Sequence, residues 1–293
     1  MSDRFIYHAF AIGVSGRITA PFDEIIPVQA SCALPEGGGF GTSRVDDFQF
    51  RNILSFGSAD AVVAGSDSPA VNNSLDGLTE FEKQKTLPDP KGPSHDAVAT
   101  VIVEGLNVLG VVTADRIVAR IASSHPFDIN QPSSITPIGS YFENLRIAGH
   151  KITLDLALDR FAEFDTAQKV RDAFKNNTEF RDEFKRMNLI REDVKLPQRL
   201  CKYLPWRGWD SDQKIPEKNG IIACSLVRNI EGLGRELTPY GHVIHVKGFG
   251  VIRLAELKMT NSARRLTMLH IDLGSTPTGS VGVCGAEGNG DGY

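Results

Sequence analysis

The chain has 293 residues, 41% of them hydrophobic and 23% charged; these are the proportions of an ordinary globular protein and exclude collagen-like, coiled-coil and wholly disordered classes. With 32 Lys and Arg against 36 Asp and Glu, the formal charge of −4 is not the field of a general nucleic-acid binder. Twenty-eight glycines punctuate long, weakly charged stretches, a composition that favours strands joined by turns.

The opening Phe5 to Val14 is apolar, but Asp3 offsets Arg4, His8 interrupts the run and no small-residue cleavage site follows. It reads as a first strand rather than an export signal, so cytoplasmic location is the default expectation. No uncharged run reaches the roughly 20 residues that a bilayer helix needs, so no membrane span is expected. Asp60 to Ala64 reads as another strand and Gly37 to Gly41 as a turn cluster, while the polar, proline-bearing Leu78 to His95 is expected to be a surface loop.

Ala97 to Ile121 is the clearest β signal, rich in β-branched residues, with Ile117, Ala119 and Ile121 sharing a face and Gly105 and Gly110 marking bends. Tyr141 to His150 and Lys151 to Leu158 read as strand, glycine turn, strand. The period changes at Phe164: Asp165 with Gln168 resembles a capping box, Val170 with Phe174 and Phe180 with Phe184 stand at helical spacing, and a restart is expected at Thr178. This predicts a helical insertion over 164–190 with a solvated, mixed-charge outer face. Strands resume at Ile221 to Arg228, His242 to Val246, Gly250 to Leu257 and Arg264 to Leu273, and the glycine-rich 285–293 reads as a flexible tail. The fold class expected is mainly β: one domain over 1–293, an antiparallel sandwich-like or layered fold carrying a short α-helical insertion.

Three blocks, Glu104 to Ala119, Phe142 to His150 and Gly248 to Glu256, with the Leu266 to Leu273 strand after them, resemble the bacterial choice-of-anchor P type of β-rich surface protein. They are strand and turn patterns without chemistry. The resemblance implies an all-β domain of unassigned molecular function, commonly displayed at the cell surface, and so admits export by a non-classical route.

No P-loop, zincin or nucleophile-elbow string occurs in the sequence. No catalytic residue or cofactor is therefore assigned. Trp206 and Trp209 are the only tryptophans, set beside Arg207, Asp210 and Asp212 in a turn-like stretch that either stacks a sugar or plugs the end of the core. Asp210, Asp212 and the Asn289 to Asp291 tail lack the full oxygen spacing of a calcium loop. His242 and His245 look metal-like, yet residues three apart on a strand point to opposite faces. Cys32, Cys201, Cys224 and Cys284 form no C-x-x-C pair and are expected to be free thiols. The functional expectation is a non-enzymatic structural or interaction protein. It would self-assemble as a homo-oligomer through weakly charged strand edges, Val98 to Val103 and Gly220 to Val227, and through the C-terminal arm. The alternative is an enzyme or carbohydrate-binding module using the tryptophan loop or a histidine site.

Overall fold

The computed structural model describes residues 5–67, 93–128, 130–188, 197–204, 206, 209, 211 and 213–289. It is mainly β and antiparallel, as the strand patterns predict. Sheet one runs in the order β14 (Leu237–Tyr240), β15 (Val243–Val246), β16 (Gly250–Met259), β17 (Ala263–Gly274), β18 (Thr278–Asn289), β1 (Ala9–Ala20), β2 (Glu24–Ala33), with β12 (Ile222–Ser225) also on β16. Sheet two runs β10 (His150–Lys151), β9 (Arg146–Ile147), β6 (Val112–Pro126), β5 (Ser94–Val108), β4 (Leu54–Asp67), β3 (Gly39–Phe50), with the short β7 (Ser134–Thr136) and β8 (Tyr141–Glu143) on β6. β11 (Thr153–Leu156) and β13 (Val227–Glu231) make a separate pair. The two large sheets pack face to face, with β1, β17 and β18 over β4, β5 and β6.

Alternation explains the layering. Ala97, Ala99, Val101 and Val103 of β5 point into the main core, while Val98 and Ile102 pack on the other side with Ala64, Val118 and Ala122. Val98 to Val103 therefore carries few charges because it is buried on both faces of a central strand, not because it is an open edge. That corrects one of the two expected assembly edges; the other, β12, does lie at a sheet margin.

The tail expectation is corrected as well. Gly285 to Asn289 belong to β18, hydrogen-bonded between β1 and β17. Gly288 suits close packing between the sheets: a Cβ there would meet the Ile121 side chain at 2.8 Å. Residues 285–289 are thus not an arm left for a partner; residues 290–293 lie outside the described residues, as does most of the expected 78–95 loop, and Ser94 and His95 already belong to β5.

The helical insertion begins earlier than its periodicity indicates. It comprises α1 (Leu158–Glu163), α2 (Ala167–Asn176) and α3 (Thr178–Met187), followed by a 3₁₀ turn over Gln198–Tyr203. Thr166 rather than Asp165 caps α2, its hydroxyl accepting from the Lys169 amide at 3.0 Å; Asp165 pairs instead with the Lys169 ammonium. Asn177 caps α3 by accepting from the Phe180 amide. Arg264 of β17 fastens this unit to sheet one. Fully buried, its guanidinium donates to the carbonyls of Phe161 and Phe164 at 3.0 and 2.7 Å, taking up acceptors that the end of α1 leaves open. Burial pulls its pKa down to about 10.

Candidate functional site

The tryptophan stretch is pinned from the inside. Trp206 Nε1 donates to the Ala223 carbonyl at 2.7 Å and Trp209 Nε1 to the Lys214 carbonyl at 2.8 Å, the rings meet edge to face at 6.4 Å, and both pack against the main core. Trp209 also lines a cavity of about 510 Å³ beside α2. Arg207, Asp210 and Asp212 lie outside the described residues. His242 and His245 are not brought together on one ion. His242 is buried, its Nε2 lies 4.0 Å from Glu256, and burial pushes its pKa down; His245 lines a separate groove of about 560 Å³. Among the described residues no group of three or more His, Cys, Asp or Glu is placed to hold a metal ion.

None of the four cysteines is in a disulfide. Burial pushes the Cys32 thiol up to about 11 and the Cys224 thiol up to about 12, so neither forms an activated thiolate at neutral pH.

One polar constellation escaped the sequence reading. Asp67 and His95 are cross-strand partners at the ends of β4 and β5, and Tyr7 reaches them from the segment before β1. Asp67 Oδ1 accepts from the Tyr7 hydroxyl at 2.7 Å and from His95 Nδ1 at 2.6 Å. The imidazole is stacked between Phe5, 4.1 Å away between centroids, and Phe127 at 4.4 Å. The carboxylate fixes the proton on Nδ1, and the aromatic walls fix the ring, so the cluster latches the start of the chain onto sheet two. Sequence separation hid it: Tyr7 and His95 are 88 positions apart. The Tyr7 and His95 bonds hold the Asp67 carboxyl below its ordinary range. A carboxyl depressed in the folded state adds stability that is present above its unfolded pKa and lost as pH falls through the folded value. Tyr7→Phe is expected to lower stability by about 1 kcal/mol at neutral pH, and both it and Asp67→Asn should flatten the loss of stability below about pH 4; acid titration of urea midpoints measures both, and an unchanged acid limb contradicts the latch.

The margin where the two sheets meet has a different character. β2 ends sheet one and β3 ends sheet two; they run side by side without a shared ladder. Cys32 Sγ faces the Gly41 carbonyl at 3.7 Å, and Arg51 reaches back to Glu24 at 2.8 Å. Outward from this rim stand Ile25, Val28 and Phe40, 68%, 52% and 50% exposed. Its charges are largely compensated in place: Arg17 holds Asp23, Arg44 holds Asp46 and Asp60, and Arg51 holds Glu24. Pro27 offers no N–H, the β1–β2 register slips between Val14 and Gly16, and Asp47 stands at φ 50° within β3, whose register on β4 is unbroken. These are devices that block strand addition while leaving side chains free to make contact.

No curated protein and no solved structure matches the chain. Residues 5–260 match the model of a domain of unknown function, DUF8256. That span covers β1 through β16, hence all of sheet two, the whole helical insertion and all of sheet one but β17 and β18, and the chain belongs to the DUF8256 family.

Proposed function

We propose that this protein is a non-enzymatic structural or interaction module whose partner is a second copy of itself, seated on the β2–β3 rim. The carrying observation is the row of Ile25, Val28 and Phe40 standing into solvent along one margin. Single exposed apolar residues are ordinary, whereas three large ones along one rim favour contact. Arg17, Arg44 and Arg51 hold the carboxylates of Asp23, Asp46, Asp60 and Glu24 at and beside the rim, so most of its charge is paired in place, and a two-fold interface pairs a patch with itself. Association is by side chains, since Pro27 and the irregularity in β2 spoil the ladder. The blocks that resemble choice-of-anchor P proteins fall on β5, β6, β8 to β10, β16 and β17, framework strands of the sandwich, which fits a structural role.

Light scattering on the full chain after size exclusion tests this. The expected mass is a multiple of 31.9 kDa, falling to the monomer in Ile25→Asp/Val28→Asp with an unchanged circular dichroism spectrum. A monomeric parent chain at about 100 μM, well above the micromolar range of weak biological dimers, overturns the proposal.

A further inference from the structure

We infer that the cavity between α2 and a wall formed by Trp209 and residues 213–220 is a binding site for a carboxylate-bearing pyranose, a uronic acid unit, independent of the rim. Its walls come from two directions. α2 contributes Arg171, Asp172 and Lys175 from its outer side; the loop contributes Trp209, Gln213, Lys214, Glu217 and Asn219; together they enclose about 510 Å³, within the range of small-molecule sites.

Each wall group limits what fits. The indole N–H of Trp209 is engaged by the Lys214 carbonyl, so the ring offers the cavity carbon surface alone. That suits the apolar C–H face of a sugar ring. Arg171 is held at all three nitrogens: Nε and Nη2 grip Glu217 at 2.9 and 3.2 Å, and Nη1 donates to Asn261 at 2.8 Å. It is therefore a fixed strut, not an anion receptor. Asp172 accepts from Gln168 through Oδ1 and keeps Oδ2 as an acceptor for a hydroxyl, while Gln213 and Asn219 supply further amide donors and acceptors. Among the described residues the ammonium groups of Lys175 and Lys214 have no carboxylate partner, unlike Lys169 earlier on α2, which is held by Asp165. An aromatic carbon face, neutral hydrogen-bonding groups and two unpaired cations match a ligand with one apolar face, several hydroxyls and one carboxylate. A plain aromatic acid leaves the amides and Asp172 unused. A phosphate would call for the guanidinium that Glu217 already occupies.

The chain has only two tryptophans, so its fluorescence reports on this site. Glucuronate titrated into the full-length protein is expected to change the emission saturably, with a midpoint on the order of 1 mM for one small, solvent-exposed ligand. Trp206→Phe should keep the response and Lys175→Gln/Lys214→Gln should weaken it at least fivefold; those two lysine side chains are exposed and hold no partner among the described residues, so folding is not at stake. Trp209→Phe, which keeps an aromatic face, should weaken binding followed by saturation-transfer NMR less than Trp209→Ala does. Glucose binding as tightly as glucuronate overturns the carboxylate, benzoate binding more tightly overturns the sugar, and no saturable change with any of the three overturns the site.

Discussion

Replacing Phe184 with alanine is expected to cost about 3–5 kcal/mol of unfolding free energy, the range for deleting a fully buried aromatic ring. Phe184 has no exposed surface and lies on the inner face of α3. Its ring meets Phe174 of α2 edge to face at 5.6 Å and Phe180 at 6.0 Å; Phe180 in turn touches Phe161 and Phe164 at the end of α1. The insertion is thus three short helices around one aromatic knot, and helices of six to ten residues do not hold in water on propensity alone. Removing the central ring leaves a cavity that neighbouring phenylalanines, fixed by their own helices, fill poorly. Urea unfolding gives the magnitude. Native-state hydrogen exchange locates it: α2 and α3 amides should lose protection while the central β5 and β6 amides keep most of theirs. Equal loss across helices and sheets contradicts the reading of the insertion as a separately tethered unit.

How much of this was legible in the sequence depends on the range of the interaction. Period-two and period-3.6 patterns are local, so the strands and the two longer helices stand out where side chains alternate or recur at the expected spacing. Strand order is not local. The weakly charged Val98 to Val103 stretch has the same composition whether it is an exposed edge or a centre buried on both faces, and only its neighbours β4 and β6 decide. The glycine-rich 285–289 lacks bulky side chains to announce a strand, yet small residues are what the close approach of Gly288 to Ile121 requires. Candidate sites suffer most. Tyr7, Asp67 and His95 meet through three separate chain segments, and Lys175 and Lys214, without a carboxylate partner among the described residues, are distinguishable from paired lysines only once their surroundings are known. The two tryptophans were visible because the residue type is rare. Their inward hydrogen bonds, which separate a plug from a platform, were not.

Glu183→Ala is expected to cost about 2–3 kcal/mol, more than any other single charge in the helical unit, and the reason is its position between two arginines. Its carboxylate, 9% exposed, accepts from Arg228 Nε on one oxygen and from Arg160 Nε at 3.3 Å on the other. Arg228 rises from β13 and also holds Asp159 at 2.6 Å; Arg160 belongs to α1 and also holds Glu179 at 2.6 Å. Three elements are therefore tied through one side chain. Burial opposes the charge on Arg228, but Glu183 and Asp159 outweigh it and keep its pKa above the ordinary range. With Glu183 gone, both guanidiniums stay partly buried and keep only exposed partners, and pairs of that kind are worth no more than about 0.5 kcal/mol each. Glu183→Gln, which keeps the shape and one acceptor oxygen, should lose about half as much. Glu179→Ala serves as the exposed comparison, its carboxylate being 76% exposed, with an expected change below about 0.5 kcal/mol. A double-mutant cycle of Glu183→Ala with Arg228→Ala, followed by urea midpoints, separates the pair from its surroundings. Coupling of about 1–2 kcal/mol supports the tie, whereas strictly additive losses would show that the two side chains stabilise the fold by packing and not through each other.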